Sequence, residues 1–337
     1  MKPYGILVIG CGKMGIEHLL GIYDKENVSI VAVVDTDIER AKKAARLSGA
    51  LSFGTDYKQY LKMDEVDIVI IATYASSHLE ILKDCLAYGK HVLCEKPIAS
   101  TYEDGISFLG ATKEAKSKVL IAHILRYNAS YLLIKKLIKD GKIGDVRMIR
   151  MTQNHHALDW QRYKRLMEDC SPTVDCGVHY YDIVEWITGD RITEVTGFGT
   201  RTEDDSPCDN YTLVTYKTEG GIQGYYEAGW GKSIRSLNTK EFIGTKGRIS
   251  LEMRDRRTDD REEGDLITVF HSDTGKYDTY NVNAPYKDMY TQLSALIDMI
   301  EGTPTDAPTM DEAWRAFIIS LTADKSIKSG KSEPVLN

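Results

Sequence analysis

A short apolar run from Gly5 to Ile9 leads directly into Gly10-Cys11-Gly12-Lys13-Met14-Gly15, and a helix-forming stretch follows over 13–23. A GxGxxG pattern between a strand and a helix constrains the fold more than any other feature of the chain. It is the first turn of a dinucleotide-binding βαβ unit, and each glycine has its own reason to be there. Gly10 permits the tight turn, Gly12 lets backbone approach a pyrophosphate, and Gly15 lets helix and strand pack closely. The phosphates would sit at the helix N-terminus, where unpaired N–H groups and the helix dipole favour negative charge, with Cys11, Lys13 and Met14 completing the loop. Asp35 ends the second apolar run about 20 residues further on, where an acid accepts hydrogen bonds from the ribose hydroxyls and repels a 2′-phosphate. NAD is the expected cofactor, with NADP the weaker alternative because Arg40 lies one turn beyond.

The pattern around this loop predicts a doubly wound domain. Apolar runs at 5–9, 30–34, 66–72, 91–94 and 119–122 alternate with helical stretches at 13–23, 37–48 and 77–88. Short, wholly apolar strands separated by helices belong to a parallel sheet covered on both faces, joined by right-handed crossovers. Residues 1–123 therefore read as a Rossmann-type α/β domain. After a helix at 129–140 the strands lengthen and alternate, at 146–153, 193–202, 210–217, 221–230, 240–251 and 265–271. That change predicts an α+β domain over 124–337 with a large, mainly antiparallel open sheet. Helices at 174–188, 287–301 and 310–329 complete it, and the charged run 252–263 reads as an exposed hairpin tip.

Bulk properties exclude several functions. Lys+Arg 43 against Asp+Glu 50 gives a net charge of −7, which argues against nucleic acid or an anionic membrane as the main partner. No apolar run approaches the ~20 residues of a membrane span, and the N-terminus lacks a secretory pattern. The six cysteines, at 11, 85, 94, 170, 176 and 208, form no CxxC pair. Reduced thiols in a cytoplasm are the expectation, and no metal site is expected. His155 and His156 are adjacent, so in a strand they point to opposite sides and do not easily share a metal.

Two further motifs carry chemistry. Cys94-Glu95-Lys96-Pro97 follows a parallel strand at its carboxyl end, where open α/β sheets place ligands. Asp175-Cys176-Gly177-Val178-His179 opens a predicted helix with Asp175 and His179 at i and i+4, on one face. Together with His18 behind the glycine loop, Val34-Asp35-Thr36-Asp37, Arg126-Tyr127-Asn128 and Glu301-Gly302 before Asp311-Glu312-Ala313, these motifs resemble the Gfo/Idh/MocA family of sugar, polyol and inositol oxidoreductases. The resemblance runs over nearly the whole chain.

The resemblance implies a site. Lys96 would lie by the nicotinamide and the reacting hydroxyl, with Asp175 and His179 as a second polar pair and the histidine as general base. The chemistry agrees: hydride leaves a secondary alcohol only as its hydroxyl proton is lost, and imidazole suits that proton at neutral pH. Lys96 would stabilise the developing alkoxide, and Asp175 would orient that lysine. Thr73, His78 and Glu95 are expected on the cofactor side. Here the chain departs from the family's Thr-Pro-Asn-x-x-His, reading Thr73-Tyr74-Ala75-Ser76-Ser77-His78.

Substrate contacts are expected from Asn154, His155 and Trp160, since related enzymes line the sugar pocket from this strand and loop. Arg162, with Lys164 and Arg165, is read either as a solvated helix face or as a fork for an acidic substrate. Arg126 is expected to anchor substrate or bridge domains, and Tyr286 to close the pocket. The predicted activity is NAD-dependent oxidation of a secondary hydroxyl of a carbohydrate or polyol. Alternatives are an NAD-assisted glycoside hydrolase and an idle NAD-binding regulator. A homodimer or homotetramer is expected, since related enzymes associate through the open sheet face.

Overall fold

The computed structural model describes residues 3–253 and 264–336. The chain divides into two compact units, Met1–Ile124 with Asp288–Trp314, and Leu125–Lys287 with Arg315–Asn337. The expected single block 124–337 therefore gives up its segment 288–314 to the first unit.

The first unit begins with β1 (Tyr4–Ile9), α1 (Lys13–Ile22), β2 (Val28–Val34), α2 (Ile38–Ser48), β3 (Ser52–Gly54) and α3 (Lys58–Leu61). It continues with β4 (Ile68–Ile71), α4 (His78–Ala87), β5 (His91–Cys94), α5 (Tyr102–Glu114) and β6 (Val119–Ile121). The strands form one six-stranded parallel sheet in the order β3-β2-β1-β4-β5-β6. Its strand order reverses between β1 and β4, which makes the carboxyl ends of those strands the crevice for a ligand. The apolar strands are buried on both faces: Ile6, Leu7 and Val8 in β1 and all of Ile68–Ile71 in β4 are inaccessible to solvent. The pattern gave no sign of α5, because only Gly105 and Phe108 of it are buried, too few for an apolar stripe.

The second unit contains α6 (Ala129–Lys139), β7 (Val146–His156), α7 (Trp160–Asp169), α8 (Pro172–Asp175), α9 (Gly177–Thr188), β8 (Ile192–Thr200), β9 (Tyr211–Thr218) and β10 (Gln223–Gly231). After these come β11 (Leu237–Gly244), β12 (Gly247–Glu252), β13 (Asp265–His271) and β14 (Tyr277–Val282). The next helix, α10 (Met289–Glu301), belongs to the first unit. It lies so close to α1 that a Cβ at Gly21 would come within 2.7 Å of Met289 Cβ. The tail is α11 (Met310–Ser329) and the short β15 (Glu333–Pro334). Nine strands make the second sheet, in the order β14-β13-β12-β11-β7-β10-β9-β8-β15, antiparallel except for the β7–β10 pair.

Two predicted elements are each divided. The strand expected over 240–251 is a hairpin, β11 and β12, turning at Thr245-Lys246 between Gly244 and Gly247, where the sequence carries a turn signal inside the expected strand. The helix expected over 174–188 is two helices meeting at Cys176, where His179 N bonds Cys176 O in place of an i−4 carbonyl. From 254 on, the expected hairpin tip at 252–263 lies outside the described residues. Among the described residues no helix is long and apolar enough to cross a membrane.

Candidate active site

In the first unit the predicted residues gather at the carboxyl ends of β1, β2, β4 and β5. Gly10 follows β1 with φ +94°, a conformation that disfavours a side chain, and a Cβ there would meet Ala72 O at 2.4 Å. A Cβ on Gly15 would stand 1.8 Å from Gly10 O, so helix and turn touch through the missing side chain. Gly12, the residue preceding α1, has nothing within 4 Å of its Cβ direction. Two glycines are thus required by crowding and one leaves open ground at a helix N-terminus. That arrangement fits a pyrophosphate approaching backbone N–H groups. Lys13 is exposed and lies 3.9 Å from Glu17, and Met14 is half-buried.

The Asp35 carboxylate sits beside this loop, accepting from Cys11 N (2.8 Å) and Asp37 N (2.9 Å). Burial, followed by the nearby Asp35 charge, pushes the Cys11 thiol up to about 12, so it stays protonated and inert. Below the β5 end, Glu95 is buried, and its Oε1 lies 2.9 Å from Nε2 of the fully buried His18 in α1. Its Oε2 accepts from Lys96 N at 3.3 Å, so the glutamate ties α1 to the peptide that carries Lys96. Lys96 itself is half-buried and precedes Pro97 through a cis peptide.

His78 is placed differently from the expectation. It is wholly buried, with Nδ1 at 2.9 Å from Pro97 O and Nε2 at 3.3 Å from Thr73 O. It fastens the loops after β4 and β5 to each other, and its ring is closed off from solvent. Thr73, half-buried, accepts from the Ser77 hydroxyl at 2.8 Å.

In the second unit, α8 and α9 cover one face of the nine-stranded sheet. The Tyr180 ring stacks on Tyr226 of β10 at 4.7 Å, and the Thr173 and Thr212 hydroxyls are 2.6 Å apart. Asp175 closes α8 and His179 lies in the first turn of α9, both half-buried, on consecutive helices and not on one. Gly177 between them is required by crowding, since a Cβ would come 2.9 Å from the Tyr181 ring. Arg126, expected near substrate, is buried and forked onto Asp182 (2.6 and 2.9 Å) in α9. Its charge is met inside the unit, as burial of a guanidinium requires.

Strand alternation sorts the remaining candidates. In β7 the residues Ile149, Met151, Gln153 and His155 face the helices, while Met148, Arg150, Thr152 and Asn154 face the open side. Asn154 is therefore on the opposite face from Asp175 and His179, and its Nδ2 is spent on Glu227 at 2.6 Å. His155 keeps its place on the helix-covered face in an aromatic group with Tyr163 of α7 and Trp230 of β10. The Trp160 ring is buried and its N–H is held by Asp205 at 3.1 Å, which makes it a packing anchor in place of a sugar platform. Residues 162–165 lie in α7. Arg162 and Arg165 are exposed, and Lys164 pairs with Asp205 at 3.1 Å. Tyr286 has its hydroxyl pushed up to about 12, chiefly by burial and then by Cys176, and its carbonyl accepts from Asn128 at 2.9 Å.

Further polar groups on the helix-covered face belong to no sequence motif: Gln153, Trp230, Asn238 and the fully buried Lys240. Counting by twos from Ile149 along β7 would have found Gln153. Nothing local marks Lys240, which stands in a strand expected to be half-polar. Among the described residues no three His, Cys, Asp or Glu side chains gather to hold a metal.

Comparison with known proteins supplies the remaining constraint. Residues 4–123 match an oxidoreductase family with an NAD-binding Rossmann fold, and residues 131–250 match the GFO/IDH/MocA C-terminal domain. Inositol 2-dehydrogenase 2 of Saccharopolyspora erythraea is 29% identical over 337 residues, spanning 97% of this chain and 94% of that protein. The crystal structure of myo-inositol 2-dehydrogenase from Lactobacillus plantarum superposes with a TM-score of 0.83 at 19% identity, covering 99% of this chain and 100% of that one. Aldose-aldose oxidoreductase from Caulobacter crescentus, complexed with glycerol, gives 0.83 at 18% identity with coverage of 99% and 100%. At these identities the structural likeness shows the fold alone.

Proposed function

The chain belongs to the Gfo/Idh/MocA family of oxidoreductases, and from that premise we propose that it is an NAD-dependent dehydrogenase of inositols, polyols or sugars. The observation that carries this reading is the end-to-end similarity to a relative named as an inositol 2-dehydrogenase. In this reading the N–H groups at the start of α1 hold the pyrophosphate, and Asp35 takes the ribose hydroxyls. The dinucleotide, when bound, supplies the carbon that accepts the hydride, and the products are a ketone and the reduced cofactor. Lys96 steadies the oxygen as negative charge develops on it. His179 accepts the hydroxyl proton on an imidazole nitrogen, and Asp175 supplies the carboxylate of the polar set.

The test is NADH formation with myo-inositol, other inositols, polyols, free sugars, uronic acids and nucleotide sugars. NAD reduction by one of them supports the reading, and none by any of them overturns it. Cleavage of a glycoside with no net NADH would favour the NAD-assisted hydrolase, and NAD binding without either reaction the regulator. Asp35→Ser should raise KM for NAD and narrow its preference over NADP, and an unchanged KM would count against Asp35 as the ribose acid.

We also infer a homodimer or homotetramer formed through the open face of the nine-stranded sheet, which scattering in solution would test. Exposed cross-strand pairs such as Arg150–Glu241 (3.3 Å) lie on that face. All six cysteines are free, which supports the cytoplasm as the compartment.

A further inference from the structure

Lys240 is only 1% exposed, on the helix-covered face of β11, and among the described residues it has no carboxylate partner. Buried lysines ordinarily have one, because an unpaired charge is costly away from water. Its Nζ instead donates to Thr152 O in β7 at 2.8 Å and to Asn238 Oδ1 two residues back, and lies 4.4 Å from the centre of the Tyr180 ring in α9. Burial pushes the amine well below the usual lysine value, against a smaller opposing effect of Cys176.

An amine that donates to Asn238 decides which way the amide faces. With Oδ1 held by Lys240, the N–H groups of Nδ2 point away, and Asn238 hydrogen-bonds the Tyr286 side chain. Asn238 also lies directly opposite Gln153 of β7, and directly opposed residues have Cβ atoms about 4.5–5.5 Å apart. Gln153 Oε1 is buried and has no protein partner among the described residues. The amide NH2 of Asn238 has a second N–H beyond one bond to Tyr286, its cross-strand neighbour Gln153 has an unused acceptor, and a hydroxyl group both donates and accepts.

We propose that Lys240 is a positioning residue which locks the Asn238 amide, so that Asn238 and Gln153 together receive one hydroxyl of a polyol or sugar ring. The inference deepens the proposed dehydrogenase function and rests on it for the identity of the ligand. Lys240 acts only through Asn238 and does not touch the substrate.

The experiment compares full-length Lys240→Met and Lys240→Arg with the parent, using NAD and myo-inositol as probe. Without ligand, the side-chain amide signal of Asn238, identified in an asparagine-15N spectrum by its loss in Asn238→Asp, should move in Lys240→Met and return toward the parent position in Lys240→Arg. With myo-inositol, Lys240→Met should raise KM roughly tenfold, the loss of about one oriented hydrogen bond, while kcat and NAD affinity stay within about threefold. An unmoved amide signal, or an unchanged KM, overturns the proposal. If Lys240→Met does not fold, Asn238→Leu replaces it, with the same rise in KM expected and an unchanged KM again fatal. If the parent itself does not oxidise myo-inositol, that substrate falls and the amide signal alone decides for Lys240.

Discussion

The two units hold their candidate residues by different means. In the first, the decisive contacts are backbone: a Cβ on Gly10 or Gly15 would come 2.4 or 1.8 Å from a carbonyl oxygen, and His78 holds two loop carbonyls. In the second, side chains on one face of a sheet decide, and a neighbour in sequence can be on the wrong side. A glycine turn therefore leaves its mark in a short string, whereas the face a sheet residue occupies depends on what covers the sheet.

The largest expected effect is chemical and touches one residue in each unit. Lys96→Ala and His179→Ala should each lower turnover by roughly 10²–10⁴-fold, with NAD affinity nearly unchanged, in steady-state assays and cofactor titrations. His179→Ala should also remove a near-neutral limb from the pH dependence of oxidation. A profile like the parent's would show that the proton goes elsewhere.

The next contrast lies inside the glycine loop. Gly15→Ala forces a Cβ into Gly10 O and should cost about 1–3 kcal/mol of stability together with NAD binding. Gly12→Ala meets open space, so it should melt like the parent and lose cofactor affinity alone. Equal melting losses in the two variants would dissolve the distinction between crowded and open glycines.

A smaller effect tests the sheet faces. Gln153→Ala should raise substrate KM roughly tenfold, whereas Asn154→Ala, on the opposite face, should leave it unchanged. Reversal of that order would return the site to the face that carries Asn154.

The smallest effect is one of pH. Between the lowered value of the Lys240 amine and 10.5, the unfolded chain binds the proton more tightly than the folded one, so the parent gains stability as pH rises through that window. Lys240→Met lacks the group. Melts from pH 7 to pH 10 should show the parent gaining on the variant, by about 1.4 kcal/mol for each step of one in pH taken inside the window. A difference independent of pH would mean that the amine titrates as an ordinary lysine.

These contrasts mark how far the site was legible. Gly10, Gly12, Gly15, Asp35 and Lys96 could be singled out because the roles expected of them depend on position relative to a strand end, which apolar runs reveal. Asp175 and His179 were singled out through a motif, but the break at Cys176 left no mark in it, because Cys176 keeps helical dihedrals and only the hydrogen-bond partner changes. Arg126, Asn154, Trp160 and His78 were chosen as polar residues at promising places. Asp182, Glu227, Asp205 and the carbonyls of Thr73 and Pro97, all except Thr73 remote in sequence from the residues they hold, had already engaged them.

The amino-acid sequence by itself determined the parallel sheet, the glycine turn and the acid that follows it, since apolar periodicity and the absence of a Cβ act locally. It also determined the family, through motifs kept in order along the chain. Only the tertiary structure decided that α10 joins the first unit, that Gln153 and not Asn154 faces the helices, and that Lys240 is buried with no carboxylate partner among the described residues. Those outcomes depend on which strands become neighbours and which face a helix covers, and both are settled by contacts between residues far apart in the chain.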